Sequence, residues 1–178
     1  TSEMSQIKEY YVKADSLFID NVFVRNTCLH IKDGVISGIP DKHLIRDDAE
    51  ILNYPGQILC PCFCDYHLHF FRGSTDEIFK IATALNSSGI IKVFEGGDKN
   101  LSGLNAKTLL RGRLNIQTAG HAIYKKGTYG KHIGKGVGSV WEAVDLINKL
   151  RDDGADYIKV IHSGIFEPKT GEISPGGF

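Results

Sequence analysis

From residue 58 onward the chain alternates short apolar runs with amphipathic stretches that open on one signature, Ser-x-x-Glu. Ser74-x-x-Glu77 leads into Ile78, Ile81, Ala82 and Leu85, and Ser139-x-x-Glu142 into a face of Val140, Ala143, Val144, Ile147 and Leu150. Apolar residues at this spacing form one stripe of a helix, and the serine and glutamate satisfy each other's orphan amides at its first turn. Gly89 and Gly154 mark where the two helices stop. Around them "ILCPCFCDYHLHF", "IIKVF", "RLNIQTAG" and "DYIKVIH" read as strands and "GLNAKTLLRG" as a further helix. Strands that alternate with helices pair in parallel and bury both faces, so the class is α/β, with functional residues expected at the carboxyl ends of the strands.

The first fifty residues follow another rule. "SLFIDNVFV" is β-rich, and Asp33-Gly34 between the apolar runs of "LHIKDGVISGI" signals a tight hairpin. The sequence thus divides into β-strands over 1–57 and alternating strands and helices over 58–178. With 21 basic and 21 acidic residues the chain is formally neutral, which gives no reason to expect nucleic acid or an anionic membrane as partner. No apolar run approaches the roughly 18 residues of a membrane span, and the polar start "TSEMSQIKEYY" lacks the apolar stretch of a secretory leader. A cytoplasmic protein is expected, with its cysteines reduced.

Chemistry-bearing residues cluster at "CPCFCDYHLHF". His67 and His69 are one residue apart, so in a strand both imidazoles point to one face, about 6.5 to 7 Å apart along the chain, and can converge on one ion. Alternatively the rings are packed or hydrogen-bonded; the position at the end of the first strand of a βα series favours metal. Cys60, Cys62 and Cys64 compete as a sulfur site. Their C-x-C-x-C spacing suits a zinc knuckle poorly, because a strand projects all three thiols to one side, and they read as packing residues.

Lys159 sits in "GADYIKVIHSG" among Tyr157, Ile158, Val160 and Ile161. An amine in a buried strand is neutral, paired, modified to a carbamate that can bridge two cations, or extended to solvent at the sheet end. Residues 119 to 138 read as a long loop containing His121 and His132. His121, directly after a strand end, is the candidate substrate contact, or else simply exposed. The loop is not a phosphate loop: "GKHIGK" has three residues between glycines, and Gly136 follows Lys135.

"AEILNYPGQILCPCFCDYHLHF" resembles the start of the barrel in the amidohydrolase superfamily, an apolar strand leading to Pro-Gly-Phe and Asp-x-His-x-His. "SSGIIKVFEGG" is similar to its second strand, and "RDDGADYIKVIHSGI" to the Gly-Ala-Asp-x-Ile-Lys-Val segment of its imidazolonepropionase and Xaa-Pro dipeptidase-like branch. The resemblance runs from about Ser16 to the end of the chain. It implies a partial TIM-like (β/α) barrel, about four of its eight strands, preceded by strands of a small β-sandwich. It implies His67 and His69 on a first divalent metal, and Lys159, as a carbamate, bridging to a second. One or two zinc ions are expected, manganese suiting the same ligands.

The implied chemistry is hydrolysis of a small-molecule amide or cyclic amide by a metal-activated water. Cys62 and Cys64 depart from the usual glycine and aliphatic residue, and Glu95-Gly96 stands near the branch's Arg-Asp. Two histidines and an aspartate of the later strands have no counterpart here. The sequence therefore reads as the N-terminal portion of an enzyme, silent alone, whose partners are the remainder of the barrel or further copies in a homo-oligomer. A structural metal module and a non-catalytic barrel-derived scaffold are the alternatives.

Overall fold

The computed structural model describes residues 8–70 and 74–177. The start of the chain over 1–7, read above as polar, lies outside them. The described chain forms two compact units, Thr1–Pro61 and Cys62–Phe178.

The first unit is a five-stranded sheet built on the long strand β1 (Glu9–Ile19). β1 pairs antiparallel with β2 (Val22–Arg25) and β3 (Cys28–Lys32), β3 pairs with β4 (Val35–Gly38), and β5 (Ile51–Leu59) runs parallel to β1. The β1–β2 turn, Asp20-Asn21, and the β3–β4 turn, Asp33-Gly34, each hold two successive residues at positive φ, the twist that lets a two-residue hairpin close. Aspartate, asparagine and glycine tolerate that conformation, which is why the hairpin signal was readable. Ala14, Leu17, Cys28 and Ile31 are buried, and β5 is exposed along nearly its whole length.

The second unit is α/β. Strands β6 (Phe63–Leu68), β7 (Ile90–Glu95) and β8 (Asn115–Thr118) pair in parallel, joined through helices α1 (Thr75–Ser87) and α2 (Ser102–Leu109). A second parallel group orders β10 (Gly134–Val137), β9 (Ala122–Lys125) and β11 (Lys159–Val160), with α3 (Val140–Asp152) between β10 and β11. Backbone bonds from Asp156 N–H to the Thr118 carbonyl and from Ile161 N–H to the Ile123 carbonyl run the 156–161 segment alongside both β8 and β9.

Both serines cap their helices as the sequence implies, while the glutamate side chains bond elsewhere, Glu77 to the Ser74 hydroxyl and Glu142 to the Gly138 amide. Ser74 and Ser139 accept from the amides of Glu77 and Glu142, and Gly89 and Gly154 follow the helices at φ +76° and +96°. Phe70, Ile78, Ala82, Val93, Ala106, Leu110, Leu114 and Ile116 make one core, with α1 and α2 packed on β7 and β8. A second core joins Ile123, Val137, Leu146 and Leu150. Each large side chain so buried contributes roughly 1.5 to 3 kcal/mol. Among the described residues no helix is long and apolar enough to cross a membrane.

Four expectations change. The 119–138 segment is not one loop: it contains the short strands β9 and β10, set among glycines and made by pairing with each other and with β11. Gly134 is needed there, because a Cβ would meet the Ala122 backbone. The buried face of α3 is Leu146 and Leu150 with Ala143 and Ile147, while Val140 and Val144, expected inside, are 75% and 42% exposed. Lys159 is not in a buried strand, since Ile158 and Val160 beside it are 39% and 51% exposed. Cys60 and Cys62 are not packing residues: β6 begins only at Phe63, and both thiols are exposed, with Cys64 half-buried.

Candidate metal and substrate site

His67 and His69 meet at the carboxyl end of β6, and His121 follows the carboxyl end of β8. His67 lies in β6 and His69 just beyond it, and their Nε2 atoms are 3.1 Å apart. Two nitrogens about 2.0 to 2.1 Å from one tetrahedral ion lie roughly 3.3 Å apart, so the pair fits a divalent cation as two of its ligands. Asp65 accepts from the His67 amide at 2.9 Å, fixing the strand end from which His67 projects. Among the described residues no three His, Cys, Asp or Glu side chains form a metal cluster, so the fit is that of a partial ligand set.

The loop after β7 sets the imidazole orientations. His69 Nδ1 donates to the Gly97 carbonyl at 2.8 Å, and His121 Nδ1 donates to the next carbonyl, Asp98, at 2.6 Å. A ring whose Nδ1 carries the proton leaves the Nε2 lone pair for a metal or a substrate. Gly96 is required for this seat, because a Cβ there would stand 2.8 Å from His69 Cε1. Gly97 is held at φ +86°, and a Cβ would meet the Ala122 amide at 2.5 Å.

Beneath the loop lies Glu95, fully buried at the end of β7. Its Oε1 accepts from Gly97 N–H at 2.9 Å and stands 3.7 Å from His69 Nδ1. Its Oε2 accepts from the Thr118 hydroxyl at 2.6 Å, and Thr118 Oγ1 in turn accepts from Gly120 N–H at 3.0 Å. Asp98, 1% exposed, turns its carboxylate on the amides of Asn100 and Ser102 and so opens α2, whose left-handed Leu101 supplies no side-chain cap. Burial first, then the carboxylates of Glu95 and Asp156, push the Tyr157 phenol up to about 12, which keeps it protonated as it donates to the Glu95 carbonyl at 2.7 Å.

Lys159 is half-buried on β11. It is the largest influence on His67, whose pKa is lowered by the Lys159 charge, then by burial and by His69, against the opposing pull of Asp65. His132 is exposed. Sequence reasoning missed the roles of Glu95, Asp98 and Thr118. A glutamate closing the apolar run "IIKVFE" was the available signal, since a buried carboxylate has to be paired.

No family model matches the sequence, and no curated protein matches it. Solved structures do. An Aspergillus (A. niger) ochratoxinase aligns over 92% of this chain at a TM-score of 0.73 and 15% identity. A putative prolidase from Bifidobacterium longum aligns over 89% at 0.74 and 18%. A prolidase complexed with N-methylphosphonate-L-proline aligns over 94% at 0.75 and 17%, and further matches are named amidohydrolases. The chain shares the α/β fold of these structures over most of its length. It spans less than the full length of these structures, 49%, 42% and 49% of the three chains in turn. Within this shared fold the paired imidazoles stand at the end of the first strand of the βα series.

Proposed function

We propose that the chain is a portion of a metal-dependent amidohydrolase acting on an amide or cyclic-amide bond of a small molecule. The observation that carries this reading is the approach of His67 and His69 through Nε2, with the His69 proton committed to a carbonyl. The solved structures named prolidase and amidohydrolase support a C–N bond as the target. In this reading the four parallel strands β6, β7, β8 and β11 are the opening part of a TIM-like barrel, the first unit contributes strands to a small β-sandwich, and the remainder of the barrel is the essential partner. Open sheet edges also favour association into a homo-oligomer.

His67 and His69 would hold a zinc or manganese ion, and Lys159, as a carbamate, would add an anionic oxygen toward a second. A bound divalent cation supplies Lewis acidity, lowering the pKa of water and polarising a carbonyl. His121, with Nδ1 bonded to Asp98, presents Nε2 to substrate. The loop 96–98 orients both rings. The C-x-C-x-C spacing and the exposure of Cys60 and Cys62 favour imidazole over sulfur ligation, and a cytoplasmic setting belongs to the same reading.

Elemental analysis of the chain purified without added metal, beside a His67→Ala, His69→Ala variant, tests the reading. Metal is expected in the natural chain and absent from the variant. Metal that persists without the histidines, or amide hydrolysis by the complete enzyme that survives chelation, would overturn it.

A further inference from the structure

The buried carboxylate of Glu95 is connected to both candidate imidazoles by separate arms. Through Oε1 it holds Gly97 N–H, and the carbonyl of that residue takes His69 Nδ1–H while the next carbonyl takes His121 Nδ1–H. Through Oε2 it holds the Thr118 hydroxyl, which fixes the amide of Gly120 immediately before His121. A fully buried carboxylate is costly to maintain, and hydrogen bonds from one amide and one hydroxyl offset part of that cost. The space for it is shaped from the helix side as well. A Cβ on Gly103 of α2 would fall 2.0 Å from Glu95 Oε2 and 2.4 Å from Thr118 Oγ1.

We infer that Glu95 is a positioning residue that commits His69 and His121 to one tautomer, with Nε2 left as the electron-pair donor. The inference rests on the proposed site in naming what those donors serve, a cation at His69 and a substrate at His121. Glu95 itself touches neither. It acts by holding the 96–98 loop and the Gly120 corner, and its charge 3.7 Å from His69 Nδ1 favours a ring whose Nδ1 stays protonated.

Nitrogen NMR of histidine-labelled, metal-free protein reads the tautomers directly, at a pH where the rings are neutral. In the natural chain His69 and His121 are each expected as a single Nδ1–H form. Glu95→Ala should leave both rings exchanging between forms and weaken Co2+ binding by about 10- to 100-fold, the usual effect of losing an outer partner of a metal-binding histidine. Thr118→Val, which cuts only one arm, should free His121 and spare His69, and it serves if Glu95→Ala does not fold. Single tautomers at both rings in a folded Glu95→Ala chain, or at His121 in Thr118→Val, would overturn the inference. A natural chain that binds no Co2+ would overturn the metal reading instead and leave the tautomers to decide this one.

Discussion

The Nε2 atoms of His67 and His69 face each other at 3.1 Å, and Lys159 holds His67 below the ordinary imidazole range of about 6.5. An ammonium beside an imidazole disfavours its protonation. In the metal-free protein His67 therefore takes up its proton at a lower pH than in the unfolded chain. Between about 6.5 and that lower value the unfolded state binds more protons, so stability falls as pH falls through this window. Proton NMR of the ring C–H groups should show the depressed titration, and Lys159→Met should move it upward. A carbamate on Lys159 reverses the sign of its charge, so high bicarbonate should raise the His67 pKa. Titration indifferent to Lys159 in both conditions would remove that residue from the site.

Gly96 and Gly97 are neighbours with opposite sensitivities. The Cβ of Gly96→Ala meets the His69 ring, a side chain that can swing away, so this change should weaken metal binding by about tenfold or more with little loss of stability. Gly97→Ala puts a Cβ against backbone at positive φ, where an L-residue costs roughly 1 to 2 kcal/mol before the clash. Chemical denaturation and metal titration on the two variants separate the effects. Equal stability loss in both would show that the ring seat is not the reason for glycine at 96.

What could be read in the sequence was what short-range physics decides. Ser74 and Ser139 announce helices because the cap partner lies three residues on, and Asp33-Gly34 announces a turn because two adjacent residues set it. His67 and His69 were visible because a strand places i and i+2 on one face. Glu95 was not, since its meaning comes from Thr118, 23 residues away, and the carbonyl that orients His69 lies 28 residues on. β9 and β10 escaped for the same reason: β9 is only four residues long, the glycines of β10 carry little strand preference, and parallel pairing with each other and with β11 makes the difference. Cys60 and Cys62 misled through residue type, which favours burial, although Pro61 and the late start of β6 leave them outside the strand.

The cap of α3 can be tested apart from the site. Ser139 Oγ accepts the Glu142 amide at 3.2 Å, while Glu142 Oε2 takes Gly138 N–H at 3.0 Å and the Lys126 ammonium at 2.7 Å. Ser139→Ala should cost about 1 kcal/mol. The Lys126 hydrogen bond, followed by that of Gly138, lowers the Glu142 pKa, so its contribution is present above the ordinary glutamate range and is lost as pH falls through the depressed value. Denaturant midpoints near neutrality and in acid measure both. Because Ser139 bonds the backbone amide of residue 142, its loss should persist with Glu142→Ala already in place, and a Ser139→Ala effect that vanishes there would mean that this amide bond is not what Ser139 contributes.

The thiols distinguish imidazole from sulfur ligation. Cys60 and Cys62 are exposed, Cys64 is half-buried and Cys28 is buried, so an alkylating reagent should modify Cys60 and Cys62 first. If the imidazoles hold the cation, metal content should stay constant while these two thiols are consumed, and the cobalt form should lack sulfur-to-metal charge transfer in its absorption spectrum. Blocking His67 and His69 should release the metal with both thiols intact. Metal lost in step with alkylation would move the site to the cysteines, and the carbonyls of Gly97 and Asp98 would then orient the two imidazoles for a purpose other than binding it.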